Sequence, residues 1–412
     1  MRLLCWLALA GPALISPTIF SAAGALQQEA YVWQRAWTDP VRQAVREHAG
    51  AFSNLVLLAA EVSWPGGRPH VLRVALPWNE LRQIKTPIGL ALRVGSFAGP
   101  FSDSDAVART LMSTAVSLTT NGVRLSELQV DFDCAESKLE GYRQWVVALK
   151  KAIAPIPLTL TALPSWLNRS AFPALAGAAD GYVLQVHSLE RPTSFDAPFT
   201  LCDPPAARAA VERAGAIGLP FRVALPTYGY LLAFAPDGRF VGLSAEGPAR
   251  AWPTNARLRE VRADPAAISD LVQNWARLRP AAMRGIIWYR LPMEADDLNW
   301  RWPTLNAMLQ LRSPREHVRA ESRRVESGLL EIGLVNDGEL DLSSRLAVTV
   351  HWQGARLAAG DALRGFELVQ AGALAATFQP RSPPRLRAGE TRTLGWLRLN
   401  KDVGVQLELS QP

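Results

Sequence analysis

Three carboxylates lie within six residues of the segment LQVDFDCAES, at Asp131, Asp133 and Glu136. Asp131 and Asp133 are two residues apart, and on a β-strand this spacing puts both side chains on the same face. Carboxyl groups held close together raise each other's pKa, so that one can keep a proton while the other is ionised. The spacing therefore predicts general acid/base chemistry at the end of this strand.

The same strand also permits a purely structural interpretation. Glu61 and Arg93 end two neighbouring predicted strands, and Arg222 begins another. A network of Glu61, Arg93 and Asp131 across adjacent strands would balance charge in the core without any chemistry. The sequence leaves both interpretations of Asp131 open.

Flat rings and polar groups follow several other predicted strands. They are Trp37, Trp64, Trp166, Gln185, His187, Tyr228, Tyr230, Trp288 and Arg290. The chain has 14 Trp, and indole faces suit the apolar faces of sugar rings as well as packed cores. Packing is the simpler interpretation of any single ring, but the set as a whole favours a polysaccharide groove.

Other kinds of chemistry lack their motifs. The 5 His are dispersed, without an HxH or HExxH pattern, so we expect no metal and no cofactor. The Gly-x-Ser-x-Gly motif that would indicate a serine hydrolase is absent from the sequence. The net charge of +7 is scattered along the chain, so we expect no nucleic-acid partner.

Short apolar segments alternate with amphipathic stretches between residues 30 and 312, as is typical of repeated βα units. No Gly-rich phosphate loop follows the first strand, which disfavours a doubly wound open sheet. The pattern predicts an α/β fold, a (β/α)8 TIM barrel over residues 26–313, with a long loop at 226–253. The predicted strands are 31–34, 55–62, 89–94, 127–133, 158–163, 181–187, 221–225 and 285–289.

The character of the sequence changes after residue 313, where strand patterns dominate. Asn336, Asp337 and Gly338 form a strong turn signal between two alternating segments. Residues 314–412 are therefore predicted to form a small immunoglobulin-like β-sandwich.

The N-terminus has the features of an export signal. A basic residue precedes an apolar run at 3–14, and a small-x-small motif follows at 23–25. We predict a signal peptide over residues 1–25 and a periplasmic or secreted protein, with an uncleaved anchor as the alternative. No later segment is apolar and long enough to span a bilayer.

Two cysteines, Cys134 and Cys202, would remain after cleavage. In an oxidising compartment they could form a disulfide, and the alternative is two separate buried thiols.

Several strand ends resemble those of family 18 glycoside hydrolases, the chitinase-like barrels. LQVDFDCAES resembles the family's DGxDxDxE segment, and RVALPTYGY and GIIWYRLP are similar to its seventh- and eighth-strand segments. VLQVHSL takes the place of its MxYD strand, with Gln185 and His187 where Met and Tyr are expected. The position of the family's catalytic Glu is Ala135 here, and Glu136 lies one residue further on.

The chain as a whole resembles an uncharacterised bacterial barrel family, domain of unknown function 3142, in its leader, its DFDC strand and its barrel. That family has no established activity, so the resemblance implies a fold and export but no reaction.

A glycosidase-like interpretation gives each acidic residue a role. Glu136 would be the general acid, Asp133 would orient it or share a proton with it, and Asp131 would tune Asp133. The resemblance to family 18 further implies that an N-acetyl group of the substrate acts as the nucleophile.

The same interpretation assigns the substrate contacts. Tyr228 and Gln185 would hold the substrate and Trp288 would lie beneath the sugar ring. The other predicted substrate contacts are His187, Trp37, Arg290, Glu61 and Arg93.

The leading hypothesis is an exported glycoside hydrolase-like protein that acts on a polysaccharide or oligosaccharide. One alternative is a glycan-binding barrel without catalysis, which the missing Glu at position 135 would explain. The other is a structural or interaction protein of the cell envelope. The sequence leaves the glycan and the oligomeric state open.

Overall fold

The computed structural model describes residues 20–21, 24–101, 106–120, 122–245, 252–342, 344–363 and 365–411. Most of the predicted signal peptide, residues 1–25, lies outside these ranges. Within them, no helix has both the length and the apolar character needed to cross a membrane.

Eight parallel strands close into a barrel, because the first strand pairs with both the second and the eighth. The predicted TIM barrel is confirmed. The strands are Gln27–Val32 (β1), Leu55–Ser63 (β2), Ile88–Val94 (β3), Leu125–Phe132 (β4), Leu158–Ala162 (β5), Gly181–Gln185 (β6), Phe221–Pro226 (β7) and Met283–Tyr289 (β8).

Helices surround the barrel and bury an apolar stripe against it. On the helix that follows β4, for example, Tyr142, Trp145, Val146 and Leu149 are buried at helical spacing. The helices are Asp39–His48, Trp78–Leu81, Ala106–Leu118, Leu139–Ile153, Phe172–Ala178, Pro204–Ile217, Pro265–Arg277 and Trp302–Leu309.

β4 shows the alternation that positions the site. Phe132 packs against Tyr142 and Trp145 of the outer helix. Gln129 faces inward instead, because its Oε1 accepts a hydrogen bond of 2.7 Å from the Tyr31 hydroxyl of β1. Since side chains alternate between the two faces of a strand, Asp131 also points into the barrel.

The prediction of a long loop over residues 226–253 is wrong. Gly229–Phe234 pairs with Phe240–Ser244 on one side and Arg257–Arg262 on the other, which gives a three-stranded antiparallel sheet. The turn between the first two strands contains Asp237 and Gly238, and Gly238 has a φ of 86° that favours glycine. This inserted sheet follows β7 and brings Tyr230 to the mouth of the barrel.

Two short pairings complete this domain. His70–Arg73 lies antiparallel to the end of β2. Phe20–Ser21 pairs with Arg279–Pro280.

The C-terminal domain contains two four-stranded antiparallel sheets that share one apolar core. The predicted β-sandwich is confirmed. One sheet contains Val318–Glu326, Leu329–Asn336, Leu357–Ala362 and Thr391–Leu399. The other contains Ala347–Trp352, Phe366–Gln370, Ala375–Pro380 and Val405–Ser410.

Glu339 joins the sandwich to the barrel. Its carboxylate accepts two hydrogen bonds of 2.6 Å from the guanidinium of Arg312, which follows the last barrel helix. These hydrogen bonds lower the pKa of Glu339 to about 2. Both partners of this ion pair are therefore charged at any pH near neutrality.

Candidate functional site

A cavity of about 210 Å³ opens at the carboxyl ends of the barrel strands, and we call it the mouth cavity. This is the end of a TIM barrel at which active sites are built. Seven of the eight barrel strands contribute to the lining of the cavity, either with a residue of the strand or with a residue of the segment that follows the strand. β2 is the exception. The lining residues are Tyr31, Trp33, Arg93, Asp131, Asp133, Thr161, Val183, Gln185, His187, Ser188, Ala224, Tyr228, Tyr230 and Tyr289.

Asp131 and Asp133 lie together on one side of the mouth cavity, as strand geometry requires. Asp131 is mostly buried and accepts a hydrogen bond of 2.9 Å from the Thr161 hydroxyl, whereas Asp133 is exposed at the rim. Burial, together with the charge of Asp133, raises the pKa of Asp131 to about 6. The pair thus contains one carboxyl group that can hold a proton near neutral pH.

The structural network that the sequence allowed is also present. The guanidinium of Arg93 lies between Glu61 and Asp131, 3.8 Å from a carboxylate oxygen of each. Glu61 is held more firmly by Arg35, which donates hydrogen bonds of 3.0 and 2.9 Å to it. Because Arg93 lies too far for hydrogen bonds to either carboxylate, the network balances charge without closing the cavity.

Asp131→Asn tests the environment of this carboxyl group. Folding raises the pKa of Asp131 from 3.8 to about 6, so its favourable contribution to folding is full below pH 3.8 and is lost as the pH rises through about 6. The amide of asparagine does not ionise, so its contribution to folding does not fall as the pH rises. We expect Asp131→Asn to raise the free energy of unfolding by about 1–3 kcal/mol at about pH 8 and by much less at about pH 4. Urea unfolding at both pH values measures this, and an equal effect at both would contradict it.

Aromatic rings form the opposite wall of the mouth cavity. Tyr289 contacts Tyr31, Trp33 and Tyr228 with ring-centroid distances of 5.7, 5.4 and 5.4 Å. All of these contacts are edge-on or tilted, the arrangements that aromatic pairs prefer. The interlocked rings give the cavity a rigid, largely apolar side.

A chain of hydroxyl groups continues this wall. The Tyr228 hydroxyl lies 3.2 Å from that of Tyr230 and 3.3 Å from Nδ1 of His187. Tyr230 also contacts the hydroxyl of Ser188, which has a φ of 57° that is uncommon outside glycine. Burial lowers the pKa of His187 to about 3, so the imidazole is neutral and serves as a hydrogen-bonding group.

The structure brings six of the predicted site residues to the mouth cavity. These are Asp131, Asp133, Arg93, Gln185, His187 and Tyr228, and Tyr230 from the strand-end rings lines the cavity as well. The Gln185 amide donates a hydrogen bond of 3.2 Å to the carbonyl of His187, which fixes its orientation.

Trp288, predicted to lie beneath the sugar, is buried on the helix side of β8. Its Nε1 donates a hydrogen bond of 3.1 Å to Gln28 Oε1, and its ring packs against Trp300. Because neighbouring strand residues face opposite sides, Tyr289 occupies the cavity instead. Counting in steps of two along β8 would have favoured Tyr289.

Glu136, the predicted general acid, does not line the mouth cavity. It begins a short 3₁₀ turn, Glu136–Lys138, just before the next helix. Hydrogen bonds from Ser165 and Arg169 lower its pKa, which keeps the carboxylate ionised. The structure therefore places Glu136 in an ion pair at the start of a helix, apart from Asp133.

The remaining predicted contacts also lie outside the cavity lining. Trp37 and Trp166 are buried, and Trp64 packs against Phe97. The Arg290 guanidinium is buried beside Asp296. Glu61 reaches the cavity only through Arg93.

Of the two alternatives for the cysteines, the structure has the separate buried thiols. Cys134 and Cys202 are both free and buried. Burial raises the pKa of each thiol to about 12, so neither forms a reactive thiolate at neutral pH.

No cluster of three or more His, Cys, Asp or Glu side chains within the described ranges could hold a metal ion.

Residues 92–294 match the family described as domain of unknown function DUF3142, and residues 319–400 match domain of unknown function DUF8456. The barrel is thus similar to the DUF3142 family over these residues, and the resemblance predicted from the DFDC strand is confirmed. No curated protein sequence matches the chain.

Solved structures with the same barrel include glycoside hydrolase-like enzymes. The spore cortex-lytic enzyme SleL of Bacillus cereus is similar at 14% identity and a TM-score of 0.50, over 70% of this chain and 74% of that chain. SleL of Bacillus megaterium QM B1551 has 14% identity and a TM-score of 0.49 over the same shares. A chitinase from Chromobacterium violaceum has 16% identity and a TM-score of 0.46, over 70% of this chain and 98% of that chain. At such identities the likeness shows the barrel fold alone.

Proposed function

We propose that this protein binds a sugar residue of a polysaccharide in the mouth cavity and hydrolyses its glycosidic bond with Asp131 and Asp133. The observation that carries the proposal is the contrast between the two carboxyl groups. Asp131 is mostly buried with its pKa raised to about 6, and Asp133 is exposed at the rim of the same cavity. Paired carboxyl groups in unequal environments take separate acid and base roles.

Asp131 is the proton donor in this proposal, in place of Glu136. Its protonated form would donate to the glycosidic oxygen, while Thr161 holds the other carboxyl oxygen. Asp133 would stabilise the positive charge that develops at the anomeric carbon, and water would then add to that carbon and return a proton to the Asp131 carboxylate. Glu136 is unsuited to either role because it is bound to Arg169.

The size and lining of the cavity support a single sugar residue. Its volume of about 210 Å³ lies below the roughly 300–1,000 Å³ of sites for drug-sized ligands. The aromatic wall around Tyr289 offers flat apolar surface to one face of a sugar ring. Gln185, Ser188 and Tyr230 supply amide and hydroxyl groups for the sugar hydroxyls.

Export is part of the proposal, since residues 1–25 have the pattern of a signal peptide. An exported protein would meet polysaccharides of the cell envelope or its surroundings. The structurally similar proteins are named as a spore cortex-lytic enzyme and a chitinase. The polymer of the spore cortex and chitin are therefore the first substrates to test.

Glycan binding without turnover is the second candidate function. It is favoured by Ala135, which stands where family 18 barrels have their acid, and by the ion pair that engages Glu136. Arg93 also offsets part of the charge of Asp131.

The test combines hydrolysis and binding on the full chain. Reducing ends released from chitin oligomers and peptidoglycan saccharides are measured, together with calorimetric binding of the same compounds. We expect release by the wild type and by Glu136→Gln, and release slower by about 10²–10⁴-fold by Asp131→Asn. Binding without release would establish the second candidate instead. If the protein neither binds nor cleaves these compounds, both candidate functions fail and a structural or interaction role remains.

A further inference from the structure

We infer that the sugar recognised by the mouth cavity carries a positive charge, the free ammonium group of an amino sugar that lacks its acetyl group. This inference rests on the proposed function, because it names the substrate class of the same cavity.

The charges around the cavity are the first argument. Asp131, Asp133 and Arg93 line it, and Arg93 lies 3.8 Å from both Asp131 and Glu61. Its single positive charge is therefore shared between two carboxylates. Arg35 adds a second cation that hydrogen-bonds Glu61. When Asp131 is ionised, as it is above about pH 6, two guanidinium groups thus face three carboxylates, and a ligand cation would complete the balance.

Asp133 is the carboxylate that lacks a partner. It lies exposed at the rim, and in the part of the chain that the structure describes it makes no hydrogen bond and no ion pair. A neutral sugar that covered Asp133 would remove water from an unpaired charge, which is unfavourable. An ammonium group on the sugar would replace that water with an ion pair.

The aromatic wall is a second and independent argument. The faces of Tyr and Trp rings attract a cation through their negative quadrupole when it lies within about 6 Å of the ring centroid. Trp33, Tyr31, Tyr228, Tyr230 and Tyr289 all line the cavity whose other side holds Asp133. Aromatic rings opposite a carboxylate are a recurrent way to recognise an ammonium group.

An acidic sugar fits the same cavity poorly. Arg93 is the cation that could receive its carboxylate, but Glu61 and Asp131 already flank that guanidinium. A uronate would therefore approach two or three like charges to gain one opposite charge.

The experiment compares three monosaccharides on the full chain, since these contain no glycosidic bond to cleave. Glucosamine, N-acetylglucosamine and galacturonate are titrated at about pH 6.5, where most of the amine carries a proton. We expect glucosamine to bind about tenfold tighter than N-acetylglucosamine, a change that one added ion pair can produce. Galacturonate should bind most weakly.

Three variants locate the preference. Asp133→Asn should abolish the preference for glucosamine, Asp133→Glu should restore most of it, and Glu136→Gln should leave it intact. Because Asp133 is exposed and unpaired, these changes leave the barrel core untouched. Melting curves of all three check that they fold.

The outcomes separate this inference from the proposed function. Equal or tighter binding of N-acetylglucosamine overturns the inference and leaves the proposed function standing. Galacturonate binding that Arg93→Gln abolishes would also overturn it and indicate an acidic sugar. If neither these sugars nor the oligomers bind, the proposed function itself fails.

Discussion

Asp131→Asn is expected to lower the rate of glycoside hydrolysis by about 10²–10⁴-fold, the usual contribution of a positioned proton donor. The amide keeps the shape of the side chain and can still contact Thr161, but it has no acidic proton to give to a leaving oxygen. Steady-state rates on the best substrate measure the effect. A change within about tenfold would remove Asp131 from the mechanism.

The matched control is Glu136→Gln. This carboxylate lies three residues from Asp133 in the sequence, yet it is bound to Arg169 rather than exposed to the cavity. Its replacement should change the rate by no more than about twofold. If Glu136→Gln lowered the rate more than Asp131→Asn, the general acid would be Glu136, as the sequence indicated.

The pH profile gives this prediction a second readout. Asp131 must be protonated to act, so the rate should fall as the pH rises through about 6. The charge of Asp133 is one of the causes that raise this pKa. In Asp133→Asn the residual activity should therefore decline at a lower pH than in the wild type. A decline that does not move would show that the two carboxyl groups do not share the site.

The barrel could be predicted because its signal is local and repeated. Each strand is a short apolar run, and the inward pair Asp131 and Asp133 follows from counting in steps of two. The same rule was not applied at β8, where Trp288, next to the last residue of the strand, was assigned to the cavity. Trp288 faces the helices, and Tyr289 is the residue that closes the ring of aromatic contacts.

Other features of the site depend on contacts between residues far apart in sequence. Glu136 is held by Arg169, 33 positions away, and no local pattern predicts that ion pair. Ser188 and Tyr230 meet across 42 positions, because the inserted sheet brings Tyr230 over the barrel mouth. The sequence indicates which residues could do chemistry, whereas the fold decides which of them share a cavity.

A second network of charge lies inside the barrel, below the site. Arg222 lies at the start of β7, at the amino end of the barrel, where it cannot reach Asp131. Its guanidinium donates hydrogen bonds of 2.7 and 2.6 Å to the two carboxylate oxygens of Glu127 and also contacts Glu29. Glu127 in turn accepts a hydrogen bond of 2.9 Å from Gln129, the residue that holds Tyr31. The site thus rests on a buried network of charge.

Arg222→Met is expected to lower the free energy of unfolding by about 3–5 kcal/mol, the usual effect of breaking a buried ion pair from one side. The exposed fraction of the side chain is 13% for Arg222 and 7% for each of Glu29 and Glu127. Methionine fills much of the space but leaves two carboxylates without a cation. Urea unfolding followed by Trp fluorescence, with the barrel transition analysed separately from the sandwich, measures the loss.

Three comparisons make this stability prediction specific. Arg208→Met, on an exposed face of the helix Pro204–Ile217, should change the free energy of unfolding by less than about 0.5 kcal/mol. Adding Glu127→Gln to Arg222→Met should recover part of the loss, because it removes one of the unpaired charges. The loss should also shrink toward acid pH, since burial already raises the pKa of Glu29 and the two carboxyl groups can then take up protons. A loss that is the same at all pH values, and that Glu127→Gln does not relieve, would show that Arg222 acts by packing alone.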